Sequence, residues 1–352
     1  MDVTRSAALA FRIASQGLRR EGPDEAAAVL DLGVQHHGHS VALATAARLP
    51  DPVGPGELAW THRGAPHRHT PGSLQEWAAR LRPLDEADAA ARLNKAVPEA
   101  LVAIDRTAAA LAEVVTGPMT KGEVSTAVSR VLPREMQRDC AGCHAVHVHE
   151  QLMRLAALPA GITVDAGRTM LLTPPPAGWR HSEGPGTVEA VARLVTAAVA
   201  VLGPVSTADL GGWVGTSATT LRPAVEAADL AAVTVEGRRA WVTPDALDRL
   251  ADPPAPPGLR LLPPFDPLLS GRDRKLLVPD DARRRLLWPA LGQPGAVLVG
   301  TEIVGTWRPS ASGTKLSLAV TAFDELRPDL LDDEAERVAA ARGLRLAGVT
   351  VA

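Results

Sequence analysis

Residues 231–244 read AAVTVEGRRAWVTP. Apolar and polar side chains alternate on either side of Glu236-Gly237, the pattern of two short strands joined by a two-residue turn. Three helical stretches lead into this hairpin. Residues 188–202 are apolar at helical spacing, Ser206-Thr-Ala-Asp209 caps a second helix that ends near Gly215, and 218–228 reads as a third. Three helices followed by a two-stranded wing is a helix-turn-helix variant, the winged helix. Its last helix characteristically enters a DNA groove with the wing beside it.

The same order recurs upstream. Thr120-Lys-Gly-Glu123 has capping-box spacing ahead of a helix carrying Val124 and Val128, a second helix is expected over 148–158, and GITVDAGRTMLLTP (161–174) reads as a hairpin turning at Asp165–Arg168. Nearer the N-terminus, helices are expected over 1–20 and 24–33, divided by Glu21-Gly22-Pro23. A polar loop, QHHGH (35–39), leads to a helix over 41–49, a turn-rich connector over 50–56, and helices over 73–81 and 87–112. Beyond a Pro-rich linker (253–264), AVLVGTEIVGTWRPSASGTKLSLAVTAF (296–323) alternates as three strands with Gly turns, and 329–342 reads as a closing helix. The expected class is α+β: winged-helix domains over 1–115, 116–185 and 186–254, then a small β-barrel-like domain over 255–352.

A chain of 352 residues, 46% hydrophobic, can bury a substantial core in two or three domains. The first twenty residues are charged throughout, and no apolar run approaches the roughly 18 residues of a membrane span. The expectation is a soluble cytoplasmic protein with no membrane partner. Two cysteines exclude a disulfide scaffold. A net charge of −3 excludes a global basic field, so a nucleic-acid partner would require a local basic face. Lys95, Lys121, Lys275 and Lys315 are the only lysines, and tyrosine is absent. With abundant alanine, this indicates GC-rich coding and a bacterial source.

Four stretches carry potential chemistry. In VQHHGHSVAL (34–43), Gln35, His36, His37 and His39 crowd one loop. A loop histidine can act as a general base near neutral pH, and the same histidines can simply be solvated beside a helix start. Arg63-Gly64-Ala65-Pro66-His67 is a compact polar turn, either part of a site or a surface loop. In LLPPFDPLLSGRDRKLL (261–277), Asp266, Arg272, Asp273 and Arg274 interleave, which suits both salt bridges and an arginine pair on phosphate. In DCAGCHAVHVHE (139–150), Cys140-Ala-Gly-Cys143-His144 matches a c-type haem attachment motif, and Cys140, Cys143, His147 and His149 are possible zinc ligands. Haem attachment needs an export route that nothing here supplies, and structural zinc sites usually join two separated ligand pairs. No cofactor is therefore expected. Cys140, Cys143 and His147 remain the one candidate metal set, against a reading in which the segment starts a helix with its cysteines packed as small apolar groups.

Taken in order, the Gln-x-polar loop, the Arg-Gly-x-x-His turn, the tandem winged helices, LLPPFDPLLSGRDR and the later VGTW (304–307) resemble the AlkZ/YcaQ winged-helix DNA glycosylase family. The resemblance spans nearly the whole chain. It implies three tandem winged helices with a β-barrel, and excision of alkylated purines from double-stranded DNA, including interstrand crosslinks. The family's catalytic motif is Gln-x-Gln or Gln-x-Asp. Alignment places Gln35 on its first position and His37 on its second, so this chain departs from the pattern as Gln-x-His. His36, His39, Arg63, His67, Arg272 and Arg274 are the residues expected to bind DNA or the lesion.

An N7- or N3-alkylated purine is a cationic leaving group, so its excision needs a positioned water and a stabilised oxocarbenium-like sugar more than a strong acid. The leading expectation is a monofunctional, monomeric DNA glycosylase acting in repair or self-resistance. The alternative is a non-catalytic winged-helix DNA-binding protein, a regulator or lesion sensor.

Overall fold

The computed structural model describes residues 1–50, 56–142 and 144–352. The fold is mixed α+β, and the chain divides into two compact units. The first includes residues 1–50, 197–209 and 230–352, and the second includes 56–142, 144–196 and 210–229.

The first unit is organised around the helix Arg5–Ser15, capped by Thr4, whose side chain accepts from the Ala7 amide at 3.2 Å. Both of its faces are buried. Leu9 and Ile13 pack with Leu262, Leu269, Leu298 and Ile303, while Ala8 and Phe11 pack with Val233, Val235, Ala240 and Val242. The helix thus lies between two sheets. One sheet is the hairpin Ala231–Val235 and Arg238–Val242, extended by a short parallel strand, Asp2–Val3. Glu236 and Gly237 both take positive φ, 47° and 75°, as the two-residue turn expected from the sequence requires. The expected helix over 1–20 is shorter because Asp2–Val3 pairs as a strand and Gly17 (φ 68°) turns the chain against Ala26.

The other sheet has five strands in the order Leu259–Leu262, Gly295–Val299, Glu302–Ser312, Lys315–Ala322 and Arg345–Val351. The first three junctions are antiparallel and the last is parallel, with the helix Asp332–Ala341 as its crossover. Leu261, Val297, Trp307, Leu318 and Val320 pack beneath that helix on Leu331, Ala335 and Ala339. The two edge strands do not pair with each other, so the sheet is a half-barrel rather than a closed barrel. Two strands lie where none was expected. Leu259–Leu262 occupies the proline linker, and Arg345–Val351 follows the closing helix.

The second unit packs around the helix Ala100–Val114, whose Ala103, Ile104, Thr107 and Leu111 are buried. Against it lie Lys121–Val131, with the full Thr120–Glu123 capping box, and Glu150–Ala157. The expected helix over 87–112 is two helices, Glu86–Arg92 and Ala100–Val114. Asn94, Lys95 and Glu99 take left-handed φ between them, and Pro98 offers no amide to continue a helix. Strands Thr163–Ala166 and Met170–Thr173 form the expected hairpin. A second hairpin, Gln137–Cys140 with Ala145–Val148, replaces the expected helix start. Cys140 ends a strand, half-buried, rather than packing as a core group.

Helices at Val188–Leu202, Thr207–Val214 and Ala218–Ala227 fall within a few residues of expectation. The expected connector over 50–56 lies mostly outside the described residues. Among the described residues, no helix is long and apolar enough to cross a membrane.

Candidate active site

The Gln-x-His loop belongs to the first unit. The helix Pro23–Leu32 ends at Gly33, whose φ of 98° is a left-handed conformation that suits glycine, and Val34–Gln35 follows as a short strand. Ser40 begins the next helix, Ser40–Ala46. Its buried hydroxyl donates to the Gln35 carbonyl at 2.6 Å and accepts from the His37 amide at 2.7 Å. One side chain therefore pins the backbone on both sides of His36. Gln35 and His36 are half-buried, whereas His37 and His39 are exposed. The His37 ring lies 4.9 Å from the Phe265 ring, tilted by 58°. Burial, then the neighbouring His37 and His39, lowers the pKa of His36; burial, then Arg342, lowers that of His39. These shifts favour neutral imidazoles at His36 and His39.

Phe265 stands in LLPPFDPLL with a φ of 63°. Asp266 follows it and caps the short helix Pro267–Ser270 through the Leu268 amide at 2.9 Å. Both Asp266 oxygens accept from Arg48 at 2.7 Å, with side-chain exposures of 0% and 1%. Arg48 also donates to the Ala44 carbonyl at 2.9 Å and to the Gln16 side chain at 3.2 Å. A buried, bidentate ion pair thereby ties the helix that carries Ser40 to the turn that carries Phe265. The sequence gives no hint of this partner, because the two residues stand 218 positions apart.

The interleaved acids and arginines separate by direction. Asp273, like Asp266, turns inward and meets Arg12 at 2.6 Å; Arg12 is 1% exposed and also donates to the Pro204 carbonyl at 2.8 Å. Arg272 is exposed and Arg274 half-buried, its guanidinium 4.9 Å from the Trp288 ring centre. With Arg238, Lys275 and Arg285 they line an open cleft of about 470 Å³ in the first unit. Burial, then the charge of Arg272, lowers the pKa of Arg274.

Arg63 and His67 belong to the second unit, Arg63 in the turn between strands Glu57–Trp60 and Pro66–His69 and His67 on the second of these strands. Arg63 takes a φ of 55° and donates to the Trp213 carbonyl. His67 is interior, at 5% exposure. It meets Thr61 Oγ1 at 2.9 Å, and the same hydroxyl meets His69 at 3.1 Å. His62 packs 4.9 Å from His67 and 4.3 Å from Trp213, centre to centre. Burial, then His62 and His69, holds the His67 pKa well below its ordinary value. Sequence reasoning singled out His67 and passed over His62 and His69. The alternation of His67 and His69 along a strand beside a Thr-His pair was the available signal.

Cys140 stands opposite Ala145, and His147 opposite Arg138, on the 137–148 hairpin. Hydrogen bonds to the Val148 carbonyl and to Cys140 raise the pKa of His147. Cys143 lies outside the described residues. Among the described residues, no group of three or more His, Cys, Asp or Glu is disposed to hold a metal.

Among solved structures, Streptomyces sahachiroi DNA glycosylase AlkZ matches with a TM-score of 0.76 over 100% of both chains at 21% identity, a likeness of fold. No curated protein matches the chain. A family model described as DNA glycosylase AlkZ-like matches residues 35–344, from the Gln-x-His loop to the end of the half-barrel's crossover helix. Over so much of its length, the chain belongs to the AlkZ-like DNA glycosylase family: it is a DNA glycosylase, an enzyme of DNA repair.

Proposed function

We propose that the enzyme is a monofunctional glycosylase that hydrolyses the N-glycosidic bond of alkylated purines in double-stranded DNA. Its lesions are N7-alkylguanine, N3-alkyladenine and bulky natural-product adducts, crosslinks included. The observation that carries this reading is the pinned loop, in which Ser40 fixes the backbone of both Gln35 and His37. A loop held this way presents two polar side chains without reorganising them during reaction. The Gln35 amide oxygen orients the attacking water and stabilises the positive charge growing on the sugar. Neutral His37, steadied against Phe265, takes the water's proton. No lysine stands near the motif in sequence to form a Schiff base, so the product is an abasic site.

In this reading Arg272 and Arg274 meet phosphate in the basic cleft, with His36 and His39 flanking the lesion. His67 is interior and sets the turn that holds Arg63. The helix-helix-hairpin segments act as tandem winged helices over 1–115, 116–185 and 186–254. The enzyme works as a monomer in the bacterial cytoplasm, on nucleoid DNA, in repair or in self-resistance.

The test is incubation with duplexes carrying one N7-alkylguanine or N3-alkyladenine, then alkali to cleave abasic sites. Cleavage that disappears in Gln35→Ala and falls steeply in His37→Ala is expected. Full cleavage by both variants would remove the loop from the mechanism.

A further inference from the structure

The second unit contains a cavity that the reaction above does not use. Its volume is about 180 Å³, and Trp60, Leu81, Ile104, Leu155 and Leu158 form much of its wall. That is smaller than the roughly 300–1,000 Å³ of pockets for drug-sized ligands, so it has room for no more than a single compact ring system. Exposed Ala91 and Asn94 also line it, so it opens to solvent.

Three arginines border this apolar space, and two of them are committed. Arg92 binds Asp88 through Nε and Nη2, at 3.0 and 2.8 Å, and the Leu81 carbonyl through Nη1 at 2.8 Å. Arg63 donates to the Trp213 carbonyl. Arg82 differs. It is 3% exposed, donates to Asp105 at 2.6 Å and through Nε to the Gly184 carbonyl at 2.7 Å, yet its buried Nη1 has no hydrogen-bond partner among the described residues. A buried donor without a partner is costly and calls for an acceptor. Asp88 and Asp105 offset the charge of Arg92 and Arg82, so those two arginines offer a free phosphate little net positive charge. A flat, uncharged body with acceptor atoms along one edge fits instead. A released N7-alkylguanine presents such an edge at N3 and N9, since N7 carries the alkyl group, and the planar guanidinium of arginine suits a pair of adjacent acceptors.

We propose that this cavity binds a free purine base, taking its acceptor edge toward Arg82 and its ring faces against the apolar wall. The choice of purine rests on the reading that the enzyme releases purines, whereas the pocket's preference for a flat acceptor does not.

Calorimetric titration of the full chain with guanine-type bases tests it, using 7-methylguanine as the probe and inorganic phosphate as the comparison. Binding of 7-methylguanine below 1 mM, with at least tenfold weaker phosphate, is expected. Leu155→Trp, which fills the cavity, and Ala91→Trp, which covers its exposed edge, are each expected to weaken the base at least tenfold while lesion cleavage persists. The second variant serves if the first fails to fold. No binding at 1 mM, phosphate binding as tightly as the base, or unchanged affinity in a folded variant would overturn the proposal. Titration does not depend on catalysis, so base binding without lesion cleavage would overturn the reaction and leave the pocket standing.

Discussion

Replacing Asp266 with alanine is the sharpest probe of what holds the active loop in place. The substitution removes both 2.7 Å contacts to Arg48 and leaves a guanidinium, 1% exposed, with only the Ala44 carbonyl and the Gln16 side chain. Breaking a buried pair from one side costs about 3–5 kcal/mol, because the surviving charge is left uncompensated. Loss of the cap on the Leu268 amide adds about 1 kcal/mol. At roughly 2–4 °C per kcal/mol for a body of this size, the melting temperature should fall by roughly 10–20 °C. The assay is thermal and urea unfolding followed by circular dichroism, with m-values to confirm a shared denatured state. The double variant Arg48→Met/Asp266→Leu removes both charges, and it should regain most of the loss, since a well-packed apolar pair of similar volume is often as stable as a buried ion pair. A single-variant cost below about 1 kcal/mol would refute the reasoning, because the pair would then behave like an exposed one. A double variant as unstable as the sum of the two single variants would refute it as well.

Gln35→Ala should lower the single-turnover rate on alkylated duplex by about 10²–10³, the usual worth of a preorganised polar group, and His37→Ala by about 10²–10⁴, that of a positioned base, with melting temperature nearly unchanged. Arg272→Ala with Lys275→Ala should weaken DNA binding and flatten the dependence of log K on log salt by about one to two units, measured by fluorescence anisotropy. Because the His67 pKa is depressed in the folded state, the unfolded chain binds the extra proton first. Stability is therefore full above about pH 6.5 and declines as pH falls below it toward the folded-state value. Melting temperatures measured from pH 7.5 to 5 should show that decline, and His67→Gln should flatten it. Thr120→Ala removes the capping box on Lys121–Val131 and should cost about 1 kcal/mol in urea unfolding.

Local chemistry was legible in the sequence, and long-range chemistry was not. The 231–242 hairpin could be read because Glu236-Gly237 is the turn that two left-handed residues demand, and the Thr120–Glu123 box because capping needs only neighbours. The 137–148 hairpin was missed because most of its strand residues are polar or solvent-facing and carry no apolar alternation. Strand 259–262 was hidden by the prolines around it, and 345–351 by the helix before it. The break at Asn94–Lys95 depends on left-handed backbone that composition does not announce. At the site, the Gln-x-His loop stood out by its letters. Ser40, Phe265, Arg48 and Asp266 acquire their roles only through contacts made across the fold. The reading of Arg272 through Arg274 held both salt bridges and surface arginines open, and inward Asp273 beside outward Arg272 shows why one tripeptide serves both.

The two-sided burial of the first helix has a consequence for protein synthesis. Leu9 and Ile13 pack on Leu262 and Leu298, and Ala8 and Phe11 on Val233 and Val242, all encoded more than 200 residues downstream. At about 5–20 residues per second, the ribosome needs roughly 10–50 s to deliver those partners. Throughout that interval an apolar helix with a buried-type arginine at its centre waits outside the exit tunnel with only the neighbouring helix Pro23–Leu32 to pack on, while the partners of Ala100–Val114 within the second unit emerge nearby in sequence. The enzyme is thus assembled out of order. The helix Arg5–Ser15 emerges well before those partners and is among the last to find its place, and it is where a nascent chain would most need a holding chaperone.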